Sequence, residues 1–279
     1  MRRYCVYIAS PQGYPFANVA DEIALSLSSA LGNLDLGGKV IRTAFDCKGR
    51  IPIVLLPQLL TPNDIRQLPA ETILYNLEQV SPESKWITPL YLSFLQRFKV
   101  WDFDSQNAEK LRELGVTDVQ LCPIGYVPEL TRIHARSEDI EVLFYGSMND
   151  RRWGIIDSIT SAGIQVFYPD KAVYGRERDE LIARAKIVLN LHYYESAIFE
   201  IVRVSYLAAN RKCVVSETSL SGAEPFRALI SEVPTQQIPQ RCAELLADSA
   251  QRNSLAEQAF SSFSQMKLEE FLQPLLGTA

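Results

Sequence analysis

Between Asp139 and Glu217, apolar runs of strand length alternate with stretches of helical spacing, and polar residues gather where the runs end. Ile140 to Tyr145, Gln165 to Phe167, Ile187 to Leu191 and Lys212 to Ser216 read as strands. A helix that begins near Arg151 and stops at Gly163, followed by ERDELIARA and IFEIVRVSYLAA, reads as the helices between them. Regular alternation of this kind points to a parallel sheet with helices on its faces. Such sheets bind ligands in the crevice beyond the carboxyl ends of their strands. The polar residues collected at those ends are therefore the first candidates for chemistry.

The N-terminal half carries the same pattern. A strand at Tyr4 to Ile8 leads into the turn-rich Ser10 to Pro15, and a helix follows from about Asn18 to Leu31. Further strand-like runs lie at Val40 to Ala44, Ile53 to Leu56, Thr72 to Tyr75, Lys99 to Trp101 and Val119 to Leu121, with helical or turn-like PNDIRQLP and SQNAEKLRELG among them. Two prolines, a glycine and mixed charges break the periodicity in CPIGYVPELTRIHARSED, as a linker would. We therefore expect an α/β chain of two Rossmann-like domains, residues 1–125 and 126–279, with a cleft between them. Helices close the second domain, including one long amphipathic stretch from about Gln251 to Leu275.

Composition narrows the function classes. The 279 residues carry a net charge of -5, which argues against general nucleic-acid binding but leaves room for a local basic pocket. Cys5, Cys47, Cys122, Cys213 and Cys242 are far apart in sequence and read as buried thiols of a reducing compartment. His134 and His192 are the only histidines, which argues against a zinc site. Met1, Arg2 and Arg3 lead straight into a strand without a signal-like apolar region, and IPIVLLPQLL is too short to span a bilayer. A cytoplasmic protein without a transmembrane segment is expected, and peripheral contact with a membrane stays open.

Four segments resemble a known group. NLEQV at 76–80, PIGYVPEL at 123–130, VLFYGSMNDRR at 142–152 and VLNLHYYESAIFEIVRVSYLAANRKCVVSE at 188–217 resemble bacterial glycosyltransferase-like proteins of the GT-B type, the group 1-like family. The likeness covers most of the chain. It implies two facing Rossmann-like domains and transfer of a sugar to a glycan or small-molecule hydroxyl. The C-terminal domain would hold most of the nucleotide-sugar donor, and the acceptor would approach from the N-terminal one. The donor is then a co-substrate, with no further cofactor. The chain departs from the family pattern in one respect: eight positions after Glu200 stands Ala208 where a second glutamate is usual, and Asn210-Arg211 replaces a glycine.

Within that framework Gly146, Ser147, Arg152, Tyr194, Glu200 and Arg203 become candidates for the donor site, with Gln12 and Gly13 across the cleft. Glu200 can accept hydrogen bonds from ribose hydroxyls, and Arg203, one helical turn on, can neutralise a diphosphate. The plainer account of these two is an i, i+3 ion pair. The segment GSMNDRR joins a loop to a helix start, where free N–H groups favour anions. Arginine there opposes the helix dipole, so Arg151 and Arg152 call for a reason other than helix stability. His192, at a strand end, is a candidate for hydrogen bonding or proton transfer, and Glu78 is the candidate base for the acceptor hydroxyl. Asp102-Phe103-Asp104 matches a metal-binding Asp-x-Asp, but SQNAEKLRELG follows directly, so helix capping explains it better and no metal is expected. Two other classes remain: a non-catalytic nucleotide- or glycan-binding protein, and a sugar-nucleotide epimerase or hydrolase.

Overall fold

The structure, a computed structural model, describes residues 3–194, 199–219 and 226–277. The chain divides into two compact units, Met1–Glu129 with Lys267–Ala279, and Leu130–Met266, each around its own parallel sheet. In the first unit β1 (Tyr4–Ile8), α1 (Asp21–Asn33), β2 (Gly37–Ile41), β3 (Ile51–Leu55), α2 (Pro62–Gln67) and β4 (Ile73–Asn76) follow one another. Then come α3 (Pro89–Leu95), β5 (Lys99–Asp102), α4 (Ser105–Glu113) and β6 (Val119–Leu121). The strand order is β2-β1-β3-β4-β5-β6, every pair parallel. All five residues of β1 are buried, as expected where helices cover both faces of a sheet.

The second unit holds β7 (Ile140–Leu143), α5 (Asp150–Ser161), β8 (Val166–Phe167), α6 (Gly175–Arg184), β9 (Ala185–Asn190), α7 (Ile201–Ala209) and β10 (Val214–Glu217). β11 (Ser231–Val233), α8 (Ile238–Ala247) and α9 (Ser249–Ser264) complete it, and α10 (Leu268–Leu276) belongs to the first unit. Its strand order is β11-β10-β9-β7-β8, again all parallel. After β7 the chain pairs outward to β8, then crosses back to β9 on the other side. This reversal makes a topological switch point between β7 and β9, and the first unit has its equivalent between β1 and β3. Ile155, Ile156 and Ile159 of α5 pack with Val142, Phe144, Leu189 and Val215 in the core. Burying each isoleucine contributes about 1.5–3 kcal/mol.

The alternation read from the sequence is thus present in both units, with shifts that have physical causes. β2 starts at Gly37 and not at Val40. Gly37 and Gly38 have φ of +104° and +98°, and a Cβ on Gly38 would lie 2.4 Å from the Ser28 carbonyl oxygen, so only glycine lets this strand approach α1. The stretch expected as one helix to Leu275 is broken, since Lys267 is extended and the Leu268 N–H bonds to the Tyr126 oxygen at 3.1 Å. That contact, with Asn33 Nδ2 on Glu269 Oε1 at 2.6 Å, ties α10 to the first unit. The expected start of α7 at Ile198 lies outside the described residues. Among the described residues no helix is long and apolar enough to cross a membrane.

Candidate functional site

At the switch point of the second unit, β7 runs through Phe144 to Gly146 and Ser147, β9 into Leu191 and His192, and β10 ends on Glu217. Helix α5 begins beside them. Asn149 caps it, accepting from the Arg152 N–H at 3.0 Å, and its Nδ2 donates to the Tyr193 oxygen at 2.8 Å. One side chain thus satisfies a helix end and joins the loop after β7 to the loop after β9.

Arg152 sits three positions ahead of Ile155 on the core-facing stripe of α5, which explains why an arginine in a helix's first turn is only 3% exposed. Its guanidinium donates to the carbonyls of Ser147 (2.6 Å), Leu191 (2.5 Å) and His192 (3.3 Å), and to Glu200 Oε1 (3.1 Å). Burial pushes its pKa down to about 10, against the pull of Glu200, so it remains a cation at neutral pH. Arg152 is a brace that fixes both loops around the crevice.

Arg203 lies across Glu200 from it. Its Nη1 is 2.8 Å from Glu200 Oε2 and 3.2 Å from Asn190 Oδ1, and the guanidinium carbon stands 5.7 Å and 5.4 Å from the ring centroids of Phe144 and Tyr145. The i, i+3 ion pair weighed above is formed. Glu200 occupies the N-cap position of α7 without capping it; its carboxylate spans Arg152 and Arg203. Gly146 has φ +139°, and a Cβ there would come within 2.9 Å of Arg203 Nη2. Glycine at this position is what allows the guanidinium to lie against the loop.

Glu217, at the end of β10, is 1% exposed. It pairs with Arg151 through the terminal nitrogens Nη1 and Nη2, accepts from the His192 backbone N–H at 2.7 Å and from Thr235 Oγ1 at 2.9 Å. Burial raises its pKa, but the Arg151 hydrogen bond and the His192 N–H outweigh it and hold the carboxyl below the usual range. The His192 ring is buried, with Nε2 3.4 Å from Ser219 Oγ and Nδ1 without a partner among the described residues. Tyr194 lies at the rim, its ring edge-on to Tyr193 at 5.0 Å. Among the described residues, Arg151, Arg152 and Arg203 thus gather around the carboxylates of Glu200 and Glu217 at the carboxyl ends of the strands.

In the first unit, Gln12 and Gly13 are exposed in the loop after β1, and the φ of +82° at Gly13 marks a turn that requires glycine. Glu78 follows β4 and accepts from Gln58 Nε2 at 2.7 Å. Burial raises its pKa to about 7. The Asp-x-Asp pair is engaged within the fold. Asp104 caps α4 through the Asn107 N–H at 2.9 Å, and buried Asp102 accepts from Asn76 Nδ2 at 2.7 Å and the Asp104 N–H at 2.9 Å. The structure therefore brings Gly146, Ser147, Arg152, His192, Tyr194, Glu200 and Arg203 together, and places Gln12, Gly13 and Glu78 on the first unit. Sequence reasoning gave no site role to Glu217 or Gln58. For Glu217 the signal was an acidic residue closing the apolar run KCVVSE; for Gln58 it was a polar residue just beyond β3.

No protein-family model matches the chain. Two uncharacterized proteins of Acanthamoeba polyphaga mimivirus are similar to it, at 27% identity over 154 residues and 36% over 84. The matched segments span 53% and 30% of this chain, but only 49% and 10% of those proteins. These relatives are viral, so they lend no support to a bacterial source. Among solved structures, the chain superposes over its full length on Anabaena HepE in complex with UDP and glucose (TM-score 0.69, 10% identity, 100% of both chains). It is similar also to WaaG, a glycosyltransferase involved in lipopolysaccharide biosynthesis (0.61, 11%, 100% of both). A third is the T4 phage BGT bound to its UDP-glucose substrate (0.56, 10%, 98% of this chain and 99% of that one). At such identities the likeness is one of architecture: the chain has the α/β fold of the GT-B glycosyltransferases, two Rossmann-like units each with a parallel sheet.

Proposed function

We propose that the protein is a glycosyltransferase that moves a sugar from a nucleotide-activated donor to a hydroxyl of a glycan or small molecule, with no divalent metal in the step. The observation that carries this reading is the cluster of Arg151, Arg152, Arg203, Glu200 and Glu217 at the carboxyl ends of β7, β9 and β10. A departing nucleoside diphosphate gains negative charge as the glycosidic bond breaks, and a prepositioned guanidinium stabilises that charge without reorganising. Arg203, beside side-chain-free Gly146, is the group assigned to the diphosphate, with Glu200 and Arg152 orienting it. Ser147, Tyr194 and the unpartnered Nδ1 of His192 offer hydrogen bonds to the rest of the donor.

On the first unit, Glu78 serves as the base for the acceptor hydroxyl, since a carboxyl titrating near 7 is matched to proton abstraction at neutral pH. Gln12 and Gly13 belong to the acceptor side. UDP and UDP-glucose in the HepE and T4 BGT structures support uridine diphosphate sugars as the first donors to try. Five buried free thiols suit a reducing, cytoplasmic setting, and WaaG supports a polysaccharide or lipid-linked glycan as acceptor. A second reading, a binding protein without turnover, is favoured by the two arginines already occupying the Glu200 carboxylate, and by Ala208 in place of a second glutamate.

Incubation with a panel of nucleotide sugars, with and without chelator, tests the choice. A transferase releases free nucleotide faster when an acceptor is present and is indifferent to chelation. Thermal stabilisation without release supports the binding protein, release independent of acceptor supports a hydrolase, and neither stabilisation nor release overturns the donor site.

A further inference from the structure

Gln58 lies in a short 3₁₀ turn, Pro57–Leu59, just past the end of β3. The residue that leads into this turn, Leu56, is buried and has φ +57°. A branched side chain in the left-handed region is strained, and such strain persists where the surroundings enforce it, often at functional sites. The turn carries Gln58 to the segment just past the neighbouring strand β4, where Nε2 donates to Glu78 Oε1 at 2.7 Å. The other end of the same amide, Oε1, is buried and has no partner among the described residues. A glutamine kept only for packing would have both ends satisfied. Here one hydrogen bond, to the carboxylate, sets the orientation of the amide.

The backbone of Glu78 is held independently. Its carbonyl accepts from Asn76 Nδ2 and Asn107 Nδ2, both at 2.9 Å, and Asn107 Oδ1 accepts from the Val80 N–H at 2.8 Å. Asn76 is itself fixed by the Tyr91 hydroxyl (2.8 Å) and Asp102 (2.7 Å). With the main chain clamped, the remaining freedom is the carboxylate's own rotation, and Gln58 is the side chain that removes it.

We propose that Gln58 is the positioning residue for Glu78: its amide selects which carboxylate oxygen is paired and leaves the other presented to an acceptor hydroxyl. The role rests on Glu78 acting as base. Donation by Nε2 favours the ionised carboxylate, opposing the burial that disfavours it. Among the described residues, the other ionisable groups around Glu78 are Tyr14 in the loop after β1, Tyr91 on α3 and Asp102 at the end of β5; Glu78 helps raise both tyrosines, and burial raises all three. None supplies a positive charge that would replace the Gln58 hydrogen bond.

The test is the titration of the Glu78 carboxyl carbon by NMR in the full chain, beside the pH profile of sugar transfer, in Gln58→Leu, Gln58→Glu and Glu78→Gln. Both Gln58 variants should raise the Glu78 midpoint by roughly one pH unit, with the rate profile moving by the same amount. The isosteric Gln58→Glu decides the matter if Gln58→Leu does not fold. A midpoint that stays at about 7 in the folded variants overturns the positioning role. Wild-type transfer by Glu78→Gln overturns instead the assignment of the base, a result separate from the NMR midpoint.

Discussion

Gly146 shows how much one missing side chain contributes to the candidate site. With φ at +139° and a would-be Cβ 2.9 Å from Arg203 Nη2, Gly146→Ala introduces backbone strain of about 1–3 kcal/mol and displaces the guanidinium. Nucleotide affinity should fall by roughly tenfold or more, since about 1.4 kcal/mol is a factor of ten; calorimetric titration with UDP against the parent chain measures it. Unchanged affinity would remove Arg203 from the diphosphate site. The residues at strand ends were legible because parallel strands announce their termini in sequence. Their partners were not: nothing in the spacing of Arg151 and Glu217 says that they meet, because that contact joins the first turn of α5 to the end of β10, two elements brought together only by the packing of the unit.

At the scale of elements, α5 both fills the core and frames the site. Its apolar stripe buries Ile155, Ile156 and Ile159, and its first turn supplies Arg151 and Arg152. The cap therefore links stability to binding. Asn149→Ala removes the bond to the Arg152 N–H and the tie to the Tyr193 carbonyl, which should cost about 1 kcal/mol and lower Tm by about 2–4 °C. Differential scanning calorimetry reads the loss, and nucleotide affinity should weaken with it because the loop after β9 is released. This helix was legible from its period and start. β2 was misplaced by three residues because strand propensity counts against Gly37 and Gly38, whose purpose, close approach to the β1 backbone at Tyr4 and to α1 at Ser28, is visible only once those elements are in place.

For the whole molecule, the buried carboxyls set how stability varies with pH. Glu78 and Asp102 are each pushed up to about 7 by burial, from 4.5 and 3.8. The folded state then binds more protons than the unfolded one between about 4 and 7, so these two groups make stability fall as pH rises through that window. Glu217, held below its ordinary value, acts in the opposite sense and loses its contribution as the medium becomes acidic. Denaturant unfolding at pH 5 and pH 8 should show Glu78→Gln losing less stability across the interval than the parent chain. An equal loss in both would place the Glu78 titration outside that window.

The alternation of strands and helices, the two-fold repetition of that pattern and the polar character of the strand ends were determined by the sequence itself, because each depends on local periodicity and turn chemistry. Tertiary structure decided which of those residues share a site. It returned α10 to the first unit through Leu268 and Tyr126, turned Arg152 inward as a brace, and gave Glu217 its arginine. It also placed Gln58 against Glu78 across two neighbouring strands. These contacts join residues far apart in the chain, 66 positions for Arg151 and Glu217 and more for Tyr126 and Leu268, and they arise from how the elements pack, which local pattern does not encode.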